Sequence, residues 1–338
     1  MISYRQILRR SFSIAWKNKY LWFFGMFASF LSIGAEYKIL MRSMDRNSIL
    51  NWFSGWQTFV VDGIFHGQIF SWLLTIFRES PFVGFLFISM CLLILAAFIF
   101  VVWMVVSSQI VLVDNAKKII KGAKDSVKIS LHDEMRISQV NFWPVLCLNI
   151  LVKIVVTALV FLVVFPLLFV GYTTVFVNVL YSTLFIILIP VAILAAFVFK
   201  YAIAYVILQK YDTQKAFNHA WILFKENWII STEVSLLLFL ISFLSTIAIL
   251  IAAIIIFIPF FLFSISFVQI FSAAVSAFTV LLGISVAAIF IIVAGSFLAT
   301  WQIIVWTHLF VSLNSHGGES KLERLIPENI KNIKLLKK

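Results

Sequence analysis

FVGFLFISMCLLILAAFIFVVWMVVSSQIVLV, from Phe82 to Val113, runs directly into DNAKKIIKGAK, from Asp114 to Lys124. An uncharged apolar run of this length, stopped by Lys117, Lys118, Lys121 and Lys124, reads as a helix that crosses a hydrocarbon core of about 30 Å and ends at a cytoplasmic surface. Five further apolar runs have the same character: Leu21–Ala35, Trp143–Phe165, Val179–Leu208, Trp228–Phe257 and Val275–Leu313. The chain is 63% hydrophobic and 12% charged, with a mean hydropathy of +1.08, which leaves too little polar surface for a soluble globular domain. The fold class expected is all-α, a polytopic transmembrane helical bundle of six spans. The last run is long enough to tilt, or to break near Gly283 or Gly295, and a break would make seven spans.

The basic residues favour six. Arg5, Arg9, Arg10, Lys17 and Lys19 precede the first span, and Lys117, Lys118, Lys121, Lys124, Lys128 and Arg136 separate the second from the third. Lys210, Lys215 and Lys225 separate the fourth from the fifth, and Lys321, Arg324, Lys331, Lys334, Lys337 and Lys338 follow the last. With six spans, these twenty of the 26 basic residues fall on one side, whereas Lys38, Arg42, Arg46 and Arg78 fall on the other in one long loop. The positive-inside rule then places both termini in the cytoplasm and the chain in a cytoplasmic (inner) membrane. A cleaved signal peptide is the competing reading of the N-terminus, since the first apolar run ends in Gly34 and Ala35. Against it, the basic region before the run is long, and Tyr4, Ile7, Leu8, Phe12, Ala15 and Trp16 recur at helical spacing. That segment is expected to be an amphipathic helix on the cytoplasmic leaflet.

The organisation repeats. Ala15-Trp16 precedes Tyr20-Leu21-Trp22, Asn141-Phe142-Trp143 opens the third span, and Ala220-Trp221 precedes Asn227-Trp228. Ile94-Leu95-Ala96-Ala97-Phe98-Ile99-Phe100 is nearly restated as Ile193-Leu194-Ala195-Ala196-Phe197-Val198-Phe199. Membrane helices draw on a small alphabet, so the apolar match alone is weak, but it coincides with matching interfacial aromatics and charge placement. The expectation is one integral membrane domain, 1–338, as three parallel two-helix repeats with amphipathic interfacial helices. Their bounds are about 4–113, 129–208 and 214–313, with a basic cytoplasmic tail over 314–338. Trp22, Trp143 and Trp228 are the expected interfacial anchors, at one depth.

Ser11-Phe12-Ser13-Ile14-Ala15-Trp16-Lys17-Asn18-Lys19-Tyr20-Leu21-Trp22-Phe23-Phe24-Gly25 carries a resemblance, echoed from Ala216-Phe217 to Trp228 and from Ile129-Ser130-Leu131 to Phe142-Trp143. In these residues the chain resembles bacterial six-span membrane proteins that are similar to the membrane domain of glycerophosphoryl diester phosphodiesterases. The resemblance spans most of the chain and rests on packing and interface residues, so it implies architecture and no catalytic residue. Mitochondrial carriers also have three two-helix units, but their odd-helix Pro-x-Asp/Glu-x-x-Lys/Arg signature is missing here, where Val145 and Leu146 follow Pro144.

Three ionisable residues lie well within the spans: Lys153, Lys200 and Glu233. Charge at such depth is costly, about 2.5–3.5 kcal/mol for a central Lys, and usually faces the bundle or a wet cavity. With Asn149 they form a candidate intramembrane polar cluster, in which Lys153 is expected to point inward towards Glu233 and Asn149. The plainer reading has Lys200 snorkelling to the interface and Glu233 at headgroup level. Cys91 and Cys147 differ too much in depth for a disulfide and read as small core residues. His132-Asp133-Glu134 reads as an exposed amphipathic face, His316 as part of a flexible tail, and His66 as isolated. Walker A, His-Glu-x-x-His and Gly-x-Ser-x-Gly signatures are absent, so no catalytic residue, metal or cofactor is expected and the chain is expected not to be an enzyme.

The net charge of +12 flanks membrane helices and needs no nucleic acid as partner: anionic lipid headgroups are sufficient, at about 1 kcal/mol per basic residue. In the long outer loop, Trp52, Phe53, Trp56, Phe59, Val60 and Ile64, then Trp72, Leu73, Ile76 and Phe77, make two aromatic faces that suit the outer interface, a cap on the bundle, or a ligand lid. The leading functional expectation is a non-enzymatic multi-pass protein that organises lipids or partner proteins. A transporter or lipid-translocating channel lined by the intramembrane charges is the alternative, and a membrane-embedded enzyme is third.

Overall fold

The computed structural model describes residues 4–29, 66–122, 131–169, 175–270 and 273–316, with isolated positions at 55, 58, 60 and 61. These residues are almost entirely helical. In chain order the helices are α1 (Tyr4–Lys17), α2 (Tyr20–Ala28), α3 (Gln68–Glu79), α4 (Pro81–Ile120), α5 (Leu131–Phe169), α6 (Val175–Gln209), α7 (Thr213–Glu226), α8 (Trp228–Ile270) and α9 (Ala273–His316). In a hydrocarbon solvent every backbone polar group must be paired within the chain, and a helix does that along its own length. The five long helices are apolar on all sides, whereas α1, α3 and α7 have distinct polar and apolar faces.

Among the described residues four stretches are helical, long and apolar enough to cross a membrane: Pro81–Ile120, Met135–Leu159, Trp228–Ser266 and Ala273–Asn314. A shorter apolar helical stretch covers Leu194–Gln209 within α6. The first expected span is described only as far as α2 and Ser29, and Trp52, Phe53, Trp56, Phe59, Ile64, Lys124, Lys128 and the tail beyond His316 lie outside the described residues. The last apolar run does not break: α9 is continuous through Gly283 and Gly295 and reaches His316, which is helical rather than part of a tail. Gly283 serves close packing instead, since a Cβ there would meet Phe260 Cβ at 2.6 Å. Pro259 is accommodated inside α8, as membrane helices tolerate.

The chain forms two compact units, and the division runs through α4, α5 and α6. The first holds the described residues of Met1–Ser32, Val106–Val152 and Ile193–Lys338; the second holds those of Ile33–Val105 and Lys153–Ala192. In the first unit α9 packs against α8, α2 and α1. Lipid chains are as apolar as Leu, so helix association there depends on close fit and small residues rather than on the hydrophobic effect. Ala15, Ala28, Ala216, Ala220, Ala299 and Thr300 are all buried accordingly. Gly25 is the tightest point: a Cβ would overlap both Thr300 Oγ1 and the Ser296 carbonyl, so only glycine lets α2 approach α9 this closely.

In the second unit α3 turns at Ser80, in extended backbone, onto the first turns of α4. The Phe77 ring sits over Gly84, and Trp72 meets Phe87 edge-on at 5.4 Å. Every side chain of α4 from Phe85 to Val101 is exposed. Cys91 and Cys147 are both exposed free thiols, contrary to the expected core positions. A thiol is apolar enough for a lipid-facing surface, so burial cannot be inferred from its polarity.

Candidate functional site

All the buried polar side chains among the described residues belong to the first unit. Several of them tie one helix to another. Asn149 Nδ2 donates to Gln109 Oε1 at 2.7 Å and to the Val145 carbonyl at 2.9 Å, linking α5 to α4. Tyr201 on α6 and Ser231 on α8 share a hydrogen bond at 2.8 Å. Thr300 on α9 donates to the Leu21 carbonyl of α2 at 3.2 Å, and Gln302 Nε2 donates to Ser242 Oγ of α8 at 2.7 Å. Such interhelical bonds average about 0.6 kcal/mol in a membrane protein, so they specify register more than they stabilise.

At the C-terminal ends of α4 and α6, donors from other helices reach backbone carbonyls that the helices leave unpaired. Arg10 donates to the Ile120 carbonyl of α4 at 3.1 Å, and Lys117 donates to the Leu208 carbonyl of α6 at 2.8 Å. Tyr205 OH donates to Asn314 Oδ1 at the end of α9, at 3.4 Å, and its ring meets Phe310 edge-on at 4.8 Å. Cations near these termini also complement the negative end of the helix dipole. The three C-terminal segments are filled by large buried side chains, among them Ile110 and Leu112 on α4, Phe197 and Tyr201 on α6, and Trp306 and Phe310 on α9.

The lead-in helices α1 and α7 rest on this interior by matched stripes. In α1 the buried stripe is Ile7, Ser11 and Ile14, ending at buried Asn18; in α7 it is Ala216, Ala220 and Leu223, ending at half-buried Asn227. Both have the i, i+4, i+7, i+11 spacing of one helical face. Asn18, Asn141 and Asn227 each turn Nδ2 onto the carbonyl four residues back, Ile14, Ile137 and Leu223, at 2.9, 3.0 and 3.1 Å. The helix ends at the first and third of these and continues at the second. These asparagines sit inside the motifs quoted above, but composition carries no sign of the bond, because an apolar residue four positions back is commonplace in a chain that is 63% hydrophobic.

Ser11 also contacts His308 of α9, with Oγ 3.3 Å from ring Nδ1 and both residues buried. His308 Nε2 is buried without a hydrogen-bond partner. The sequence reading passed over His308 because it stands in an uncharged apolar run. On the outer side of α1, exposed Phe12 and Trp16 join Trp22 and Phe297 in a four-ring cluster with centroids 5.2–6.3 Å apart. Arg5, Arg9 and Lys17 share that exposed surface.

The expected polar cluster is distributed as follows. Lys200 is buried, Asn149 is buried on Gln109, and Glu233 is half-buried, all in the first unit. Lys153 belongs to the second unit and is exposed, where an inward orientation was expected. The buried stripe of α5 runs through Asn141, Val145, Leu148, Val152 and Val156, and Lys153 falls beside it. Of the three anchors, Trp22 is half-buried and donates Nε1 to the Ala15 carbonyl at 2.8 Å, whereas Trp143 and Trp228 are exposed. His66 Nδ1 lies 2.7 Å from the Val61 carbonyl, a local contact. Among the described residues no three His, Cys, Asp or Glu side chains gather as metal ligands. Comparison of the chain with protein-family models, with curated proteins and with solved structures finds no match.

Proposed function

We propose that this chain is a non-enzymatic multi-pass protein of a bacterial cytoplasmic membrane that organises anionic lipid at the cytoplasmic face. Six spans, as three parallel two-helix repeats, carry a lead-in segment each, with both termini in the cytoplasm. The observation that carries the reading is the pair of matched stripes on α1 and α7, each ending at an asparagine that bonds four residues back. Each stripe seats an amphipathic helix and leaves Trp16 or Trp221 exposed beside basic residues. Three of the links join an odd span to the even span before it, taken cyclically: α2 to α9, α5 to α4, and α8 to α6. Exposed aromatics beside Arg and Lys suit the headgroup boundary of an anionic leaflet. The resemblance to the membrane domain of glycerophosphoryl diester phosphodiesterases supports this architecture and adds no catalytic group. Transport of an anionic solute would require Lys153 to share a path with Lys200 and Glu233, and exposed Lys153 lends that no support.

The test is lipid retention. Protein extracted from mixed phosphatidylglycerol and phosphatidylcholine bilayers should retain phosphatidylglycerol, as read by native mass spectrometry. Replacing Arg5, Arg9 and Lys17 with Gln should remove that preference without unfolding the protein. Equal retention of both lipids by the unaltered chain would refute the proposal.

A further inference from the structure

We infer that the α8–α9 hairpin is matched to hydrocarbon thicker than an ordinary bilayer and gathers long-chain lipid around itself. No Asp, Glu, Lys or Arg occurs between Glu233 and Glu319. The helices have 43 and 44 residues and lie antiparallel, joined by Gln302–Ser242 at one level, Phe260 against Gly283 at another, and Ser264–Ser276 at 2.6 Å near the turn. At 1.5 Å per residue, exposed Trp228 and exposed Ile265 are about 55 Å apart along α8. A tilt of about 40°, the upper end of what spans adopt, fits only about 39 Å of helix into a 30 Å core. The outward face between is uncharged and, apart from hydroxyls such as Thr246 and Ser285, apolar, including Leu240, Ile247, Ile254 and Phe261 on α8 and Phe278 and Ile289 on α9.

The hydroxyls indicate what covers this face. Among the described residues, hydroxyls towards the facing ends of α8 and α9 bond within their own helix: Ser266 donates to the Leu262 carbonyl at 3.3 Å, Thr279 to the Ser276 carbonyl at 2.7 Å and Ser285 to the Leu281 carbonyl at 2.8 Å. Ser264 and Ser276 are buried on each other. Polar groups closed internally, on a surface without charge, are what hydrocarbon demands and water does not. The cover is therefore acyl chain up to the turn, which a bilayer of ordinary thickness does not reach. The inference rests on the hairpin being embedded with Trp228 at the interface, not on the anionic-lipid reading.

The experiment places a cysteine at Ser266 (S266C) in the full chain with Cys91 and Cys147 replaced by Ala, reconstituted in dimyristoleoyl or dierucoyl phosphatidylcholine. A membrane-impermeant maleimide should label S266C several-fold more slowly in the thick dierucoyl bilayer than in the thin one. Resistance to alkaline extraction confirms insertion, and K225C, on the exposed side of α7, should label rapidly in both. Equally fast labelling of S266C in both bilayers would overturn the inference, because the turn would then lie in water regardless of thickness. Equally slow labelling would overturn it too, since something other than matched lipid would cover the turn. Oxidative cross-linking of S266C between chains would identify that cover as a second copy.

Discussion

Helix α4 contains two regions of opposite fate, and the more polar of the two is the one that is buried. From Phe85 to Val101 every side chain is exposed, whereas Val105, Val106, Ile110, Val111, Leu112, Val113 and Ala116 are buried. What separates the halves is their sparse polar content. The exposed half has Ser89, whose hydroxyl donates to the Leu86 carbonyl of its own helix at 2.8 Å. The buried half has Ser108, Gln109 and Asn115 inside and reaches a second helix through Gln109. In a chain this apolar, a Leu does not report whether it meets protein or lipid; a Gln or Asn in mid-helix does, because hydrocarbon offers it no partner.

The comparison breaks or sharpens under substitution. The largest expected effect is Leu112→Ala, which opens a void in the buried half and should cost about 2–5 kcal/mol, against less than about 0.5 kcal/mol for Leu95→Ala in the exposed half. Thermal unfolding midpoints of the two variants in one detergent measure the contrast, and equal losses would erase the distinction between the halves. Next comes Gly25→Leu. Its added side chain meets Thr300 and the Ser296 backbone, so overpacking should cost about 1–3 kcal/mol, while Gly295→Leu, with nothing within 4 Å of its Cβ, should be nearly neutral.

A smaller effect belongs to the Gln109–Asn149 bond. Gln109→Leu or Asn149→Leu alone should cost about 1–3 kcal/mol by leaving a buried amide unmatched. The double variant should cost less than the two losses together, with a coupling of about 0.6 kcal/mol; strict additivity in the double-mutant cycle would show that the bond contributes nothing. The smallest expected changes are at Cys91→Ser and Cys147→Ser, each within about 0.5 kcal/mol, since both thiols are exposed. Unfolding midpoints of the two variants in one detergent measure this, and a loss above about 1 kcal/mol at either would place that thiol in a packed interface.

The apolar runs, their helical state, the basic segments that punctuate them and the amphipathic character of α1 could all be read from the chain, because each is a matter of composition or local period. Tertiary structure alone decided that Lys200 is buried while Lys153 is exposed, that both cysteines face outward, that Asn149 bonds Gln109, and that Ser11 meets His308. The division has a physical cause. In water the two sides of a helix must differ in polarity, and the sequence records the difference as a period. When the solvent is hydrocarbon, the side facing lipid and the side facing protein can have the same composition, so α4, α5, α6, α8 and α9 carry almost no amphipathic signal, and only packing tells their faces apart.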